Sequence, residues 1–276
     1  MTNQSIAIVG ATGKTGARVS ALLQERGYST RDLSRRGDFA FDWADRDTWQ
    51  KALEGVRSAY VTYYPDLAVP QAEEDIRAFV DKAKSVGIEH IVLLSGRGEE
   101  GARRAEDVVI NSGLVWNVVR ASWFMQNFSE SFMLEGLQAG ELVLPESKAS
   151  EPFIDVNDIA EVAVAALTRS DLHNQLLEVT GSELLTFDGC VEAIAAASNR
   201  SIGYQTISVD AYLASAPAQG LPEGMAWLIR ELFVNVLDGR NESTTDTVQQ
   251  LLGRPAKRFR EYVQQTAETG VWAIQD

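Results

Sequence analysis

Gly10, Gly13 and Gly16 recur every third residue in the stretch Ile6-Ala-Ile-Val-Gly-Ala-Thr-Gly-Lys-Thr-Gly16. The chemistry this spacing offers is anion binding by bare backbone. Ile6 to Val9 is an apolar, β-branched run of the kind that forms a buried parallel strand. Beyond Gly16, Val19, Leu22 and Leu23 return at helical spacing up to Arg26-Gly27. The glycines therefore fall in a strand-to-helix turn. Gly10 permits the tight turn, Gly13 lets backbone approach a pyrophosphate with no Cβ in the way, and Gly16 lets helix and strand pack closely. The helix N–H groups and its positive dipole end would face the phosphates. A turn without a ligand needs fewer glycines. In this context the pattern reads as a dinucleotide site made of Gly10, Ala11, Thr12, Gly13, Lys14, Thr15 and Gly16.

Other site residues follow from where strands must end. An open α/β sheet binds its ligand at strand C-termini, and the end of the second strand reads the adenosine ribose. An acid there favours NAD, whereas an arginine accommodates the 2′-phosphate of NADP. The strand at 29–33 ends in Ser34-Arg35-Arg36. Arg35 and Arg36 thus favour NADP(H), and Asp32, inside the strand, leaves NAD(H) open. Thr62 and Tyr63 close a strand at 59–64 ahead of Pro65 and should lie over the central part of the cofactor, although Tyr63 or Tyr64 could equally be a packing residue. Ser95 ends a strand at 90–95 in the same way. His90 sits at the wrong end of that strand for chemistry and reads as structural, as does His173 in a polar loop.

With Ala11, Thr12 and Thr15 inside it, the glycine stretch resembles the G-A-T-G-x-T-G signature of NmrA-like proteins, which are atypical short-chain dehydrogenases/reductases. Arg120-Ala-Ser-Trp-Phe-Met-Gln-Asn-Phe128 resembles that family's R-P-x-x-F-x-E-N segment, with Asn127 matching and Ala121 replacing the proline. Glu151-Pro-Phe-Ile-Asp-Val-Asn-Asp-Ile-Ala160 resembles F-V-D-V-x-D-I-A; its Asp155 and Asp158 read as caps of the following helix. The stretch Leu94-Ser-Gly-Arg-Gly-Glu-Glu-Gly101 and the ending Thr269-Gly-Val-Trp272 look like a subgroup related to ergot-alkaloid reductases and NAD(P)H:quinone oxidoreductases. The resemblance implies an NAD(P)-dependent oxidoreductase. It assigns Asp42, in place of the family's G-D-x-x-D stretch, to the adenine and Ser122 to the cofactor. It puts the 120–128 segment beside the nicotinamide, so that Trp123, Phe124, Asn127 and Phe128 face the substrate together with Tyr63. Trp227 would cover the substrate from the C-terminal helices. A hydrophobic core helix is the competing reading of 123–128.

None of the seven tyrosines has a lysine four residues on, so the usual tyrosine–lysine proton relay is absent. Where many relatives carry a lysine or histidine, this chain reads Ala102-Arg103-Arg104, and arginine is a poor proton donor. No catalytic side chain is assigned. No G-x-S-x-G occurs, and two structural histidines argue against a hydrolase triad. The expected function is an NADPH-dependent reduction of an acceptor that needs little proton from the protein, such as a quinone, iminium, azo or triarylmethane compound. The alternative is an NADP(H)-binding redox sensor that regulates a protein partner without turnover.

Positioning these residues requires a Rossmann-type α/β fold: a doubly wound parallel sheet with a smaller, mostly helical C-terminal substrate-binding portion. Strands are expected at 6–9, 29–33, 39–43, 59–64, 90–95, 114–119, 176–179 and 204–207. Helices are expected after the glycine turn and at 68–86, 99–111, 159–167, 186–198 and 210–215, and from Leu221-Pro222 through Trp227 and Phe233 to Tyr262. The expected domains are 1–150, with 151–180 returning to it, and 181–276. At 276 residues the chain can bury a large core. A net charge of −14 disfavours nucleic acid and anionic membrane as partners. The single cysteine, Cys190, excludes an internal disulfide, and no Cys/His cluster suggests a metal. No apolar run approaches the roughly 18 residues of a membrane span. The expectation is a cytoplasmic protein acting on a small molecule, with oligomerisation left open.

Overall fold

A computed structural model describes residues 5–215 and 224–274. In chain order it forms β1 (Ile6–Val9), α1 (Lys14–Glu25), β2 (Thr30–Leu33), α2 (Trp49–Leu53), β3 (Ser58–Val61), α3 (Ala72–Ser85), β4 (His90–Gly96), α4 (Glu100–Ile110) and β5 (Val115–Ala121). There follow α5 (Met133–Ala139), β6 (Glu141–Pro145), α6 (Val156–Thr168), β7 (Gln175–Val179), α7 (Phe187–Ser198), β8 (Gly203–Ile207) and α8 (Val209–Ser215). Last come α9 (Met225–Arg230), which continues as a π-helix over Glu231–Val236, α10 (Thr247–Leu252) and α11 (Phe259–Glu268).

The chain divides into two compact units, the first comprising 1–121, 156–179 and 247–253, the second 122–155, 180–246 and 254–276. The segment 122–150, assigned from sequence to the first domain, thus groups with the second unit.

The first unit is a six-stranded sheet in the order β2-β1-β3-β4-β5-β7, parallel throughout. After β2 the chain returns past β1 to form β3, so the order reverses at the β1/β3 pair. In open α/β sheets that reversal is where ligands bind, at the carboxyl ends of the strands. The central strands are buried on both faces, which explains their unbroken apolar runs. Helix α1 packs on α6, and α3 on α4. The strand expected at 39–43 does not form; Ser34–Ala40 and Asp42–Asp45 make only single bridges. Side chains claim this backbone instead. The Asp42 N–H donates to Thr48 Oγ1 and its carbonyl accepts from Trp49 Nε1 (3.1 and 2.7 Å). Phe41 and Trp43 enter an aromatic cluster with Trp49 and Phe79. The helix expected from residue 68 starts at Ala72, because Asp66 to Ala72 turns tightly on itself through Val69 N–H to Asp66 O.

The second unit has a two-stranded parallel sheet, β6–β8, among α5, α7, α8, α9 and α11. Helix α5 and strand β6 carry no signal that the sequence reading used. The core gathers Phe128, Phe153, Phe187, Phe259, Tyr262 and Trp272. Trp272 is 1% exposed, and its indole N–H donates to the Phe128 carbonyl at 2.8 Å. Arg200 ties the end of α5 to this core by donating to the carbonyls of Leu137, Gln138 and Trp272. Leu221 and Pro222 lie outside the described residues.

Candidate dinucleotide site

The turn after β1 is built by backbone. Gly10 has φ +82°, and its N–H and that of Ala11 both donate to the Leu33 carbonyl at 3.1 Å, fastening the turn to the end of β2. A Cβ on Gly16 would stand 2.2 Å from the Gly10 carbonyl, so only glycine lets α1 start this close to the strand. A Cβ on Gly13 would meet nothing within 4 Å except that carbonyl, at 3.2 Å. Gly13 is exposed and is the N-cap of α1, with no side-chain cap bond and no acidic residue in the first turn. Thr12 is exposed, Ala11 and Lys14 half-buried, and Thr15 buried. This is the form of a helix N-terminus suited to an anion.

Arg35 and Arg36 follow β2 in an exposed bend, where Ser34 Oγ donates to the Arg36 carbonyl (2.5 Å). The Arg35 guanidinium lies 5.7 Å from the ring centre of Tyr64, in the loop after β3. Asp32, one residue before the strand end, accepts from Ser20 Oγ at 2.6 Å and is held to α1.

Several expected contacts are engaged within the unit. Thr62 Oγ1 donates to the Val9 carbonyl at 3.0 Å and stands 2.1 Å from where a Cβ on Gly10 would be. Tyr63 donates to Asp75 Oδ2 at 2.7 Å and leans on Trp43, 4.9 Å between centroids. Burial, with the Asp75 bond second, raises its phenol pKa. Asp42 Oδ1 accepts from the Ala44 N–H, closing its own turn. Ser95 is 4% exposed and donates to Glu106 Oε1 at 2.6 Å. Register aligns Ser95, Arg120 and Glu178 across β4, β5 and β7. Arg120 bonds Glu106 from Nε (3.0 Å) and a second arm, and Arg97 Nε pairs with Glu178 at 2.9 Å. Removing Arg120 would leave the buried Glu106 carboxylate without its ion-pair partner, at a cost of about 3–5 kcal/mol. Sequence reasoning missed this row because its members are dispersed over 84 positions and meet only through register. It also passed over Asp66, in the loop after β3: its carboxylate accepts from Ala68 N–H at 2.8 Å, and burial raises its pKa.

In the second unit, Ser122 is 3% exposed and its Oγ has no hydrogen-bond partner among the described residues. Trp123 and Phe124 are half-buried, and Trp123 meets Phe187 and Phe233 edge-on at 5.3 and 5.8 Å. Asn127 is half-buried, its N–H on the Phe124 carbonyl. Phe128, expected at the substrate, is 0% exposed and enclosed by Phe153, Phe187 and Phe259, so it is core. The segment 125–128 is a 3-10 turn rather than a helix long enough for an apolar stripe. Asp155, read as a helix cap, is 0% exposed and receives Gln126 Nε2 and Lys257 Nζ, each at 3.1 Å. Trp227, on α9, is 40% exposed.

A dinucleotide suits the first unit's turn on chemical grounds: an uncapped helix start, a glycine open on its outer side and two exposed arginines at the ribose-reading position. A profile of the NAD(P)H-binding family matches residues 10–170. This chain belongs to that family. Among its relatives is the NAD(P)H azoreductase of Xenophilus azovorans, 31% identical over 278 residues, covering 93% of this chain and 96% of that one. The agroclavine dehydrogenase of Claviceps fusiformis is 28% identical over 292 residues, 99% of this chain and all of that one. The NADPH-dependent quinone oxidoreductase QOR2 of Escherichia coli, solved with NADPH, shares the fold at a TM-score of 0.75 and 20% identity, over 95% of this chain and 99% of that one. The family membership agrees with the NmrA-like resemblance carried by the glycine motif. Among the described residues no helix is long and apolar enough to cross a membrane, and no His, Cys, Asp and Glu cluster could hold a metal.

Proposed function

We propose that this NAD(P)H-dependent oxidoreductase prefers NADPH and reduces a small, flat, aromatic acceptor such as a quinone, an iminium, or an azo or triarylmethane compound, in the cytoplasm. The observation that carries the reading is the uncapped glycine turn followed, one strand over, by the exposed pair Arg35 and Arg36. In this reading Gly10 to Gly16 hold the pyrophosphate, the arginines bind the 2′-phosphate, and the buried, unpartnered Ser122 hydroxyl donates to the cofactor. Arginine supplies charge-assisted bonds that NADH cannot use. The bound cofactor supplies a hydride, and the protein contributes binding and orientation. The partly exposed faces of Trp123 and Phe124, with Trp227, offer flat apolar surface to a planar acceptor. The azoreductase and quinone oxidoreductase names among similar proteins support this acceptor class.

A panel of quinones, iminium compounds and dyes, followed by loss of NADPH absorbance, tests the proposal. At least one acceptor is expected to be reduced well above background, faster with NADPH than with NADH. If none is reduced and a protein partner binds only in the presence of NADPH or of NADP, the chain is a redox sensor and the reductase reading fails.

A further inference from the structure

Because β2 and β3 flank β1, any contact between the loops that follow them must cross the carboxyl end of β1, where the glycine turn begins. Arg35 and Tyr64 make such a contact, guanidinium to ring centre 5.7 Å. Both side chains are exposed, Tyr64 at 61% of its surface, so its ring is open to a ligand. Its neighbour Tyr63 is the contrast: Asp75 and Trp43 hold it on the packed side.

We propose that Arg35 and Tyr64 form a strap across the glycine turn, and that Tyr64 is a binding residue for the adenine of the cofactor. The inference rests on the dinucleotide reading of the turn. A guanidinium over an exposed ring is a weak contact, readily exchanged for a stronger one. A 2′-phosphate offers Arg35 charge-assisted, bidentate bonds, which draw the guanidinium off the ring. The ring face so uncovered is flat and apolar, and a purine stacks on such a face whatever its substituents. The two residues then divide the labour. Arg35 distinguishes NADPH from NADH, and Tyr64 binds the base that both share.

Calorimetric titration of the full chain with NADPH, NADH and adenosine 2′,5′-bisphosphate tests this, using Tyr64→Ala, Tyr64→Phe and Arg35→Ala. Tyr64→Ala should weaken all three ligands, by about fivefold or more, the lower end of base-on-aromatic stacking. Tyr64→Phe, which keeps the ring, should stay within twofold of wild type. Arg35→Ala should weaken only the two ligands that carry a 2′-phosphate. A Tyr64→Ala protein that binds all three within twofold of wild type overturns the proposal, as does a Tyr64→Phe protein impaired as much as Tyr64→Ala. Failure of the underlying reading looks different: the wild type then binds none of the three ligands. Tyr64 is too exposed for these substitutions to unfold the chain, and far-ultraviolet circular dichroism verifies it.

Discussion

The glycine turn of the first unit and the aromatic segment 122–128 of the second were both singled out as places where ligand atoms should lie, yet they are made in opposite ways. The turn is short-range backbone: Gly10, Gly13 and Gly16 lie within seven residues, and their partners are carbonyls and N–H groups. The aromatic segment is long-range side chain: Trp123, Phe128, Phe153, Phe187, Phe233 and Phe259 come together from across more than a hundred positions. A backbone device can be read residue by residue, because what a missing Cβ permits is a local property. An aromatic cluster cannot, because the same ring types serve core and pocket alike, and only burial separates Phe128 from Trp123.

Substitutions can break that contrast, the most severe first. Gly13→Val should abolish NADPH binding in calorimetry while the melting temperature stays near that of wild type, since a Cβ at Gly13 meets only the Gly10 carbonyl, at 3.2 Å. Gly16→Val is its control, losing both fold and binding through a backbone clash at 2.2 Å. Unchanged NADPH affinity in Gly13→Val would remove the turn from the cofactor site.

Phe128→Ala should lower unfolding free energy by about 3–5 kcal/mol, the usual result of emptying a core aromatic site. Chemical denaturation measures it. If stability hardly moves and only the acceptor KM rises, Phe128 is a pocket wall after all and the two regions are more alike than described.

Arg35→Ala/Arg36→Ala should weaken NADPH roughly tenfold or more and leave NADH nearly unchanged. A wild type that prefers NADH would instead make Asp32 the ribose reader. Trp123→Ala should slow turnover with a planar acceptor while NADPH affinity stays within a few-fold, because the ring is proposed to touch acceptor rather than cofactor. Equal loss of both would erase the distinction between cofactor-binding and acceptor-binding regions.

The smallest effect is expected at the amino-terminal edge of the sheet, where His90 is buried. Asn117 donates its amide to the Leu172 and Gln175 carbonyls, so its Oδ1 accepts from His90 Nε2 at 3.0 Å. The His173 ring lies tilted by 58° to that of His90, with centroids 4.9 Å apart. Burial, and then the neighbouring His173, lower the His90 pKa against the opposing Asn117 bond. The folded state therefore binds the proton less readily than the unfolded state, whose histidine titrates near 6.5. Stability is complete above that pH and is lost as pH falls below it toward the folded pKa. Melting temperatures from pH 7 to 5 should fall in wild type and fall less steeply in His90→Gln; parallel slopes would show that His90 takes no part.

Three expected site residues are engaged within the protein for a common physical reason. Ser95, Tyr63 and Asp42 do lie at or beside the carboxyl edge of the sheet, as strand ends predict, but Glu106, Asp75 and Ala44 occupy their polar atoms. A strand end specifies where a residue sits and is silent on what the next helix brings against it. The strand expected at 39–43 failed for the same reason: alternating aromatics suit a strand or a packed loop equally, and Thr48 and Trp49 decide for the loop.

What the sequence determined by itself was everything that depends on short-range pattern. Apolar runs bounded by glycine or, for β3, by Pro65 specified β1, β3, β4 and β5, and three glycines in register specified the turn, because period and backbone freedom are local. Two adjacent arginines after β2 were equally legible, since strand ends place them without reference to anything distant. Only the tertiary structure decided the Ser95–Glu106–Arg120–Glu178–Arg97 row, the closure of the second unit by Trp272 and the meeting of Arg35 with Tyr64. Each joins residues far apart in the chain through strand order and register, and those are set by which apolar faces find one another during folding, a property of the whole chain.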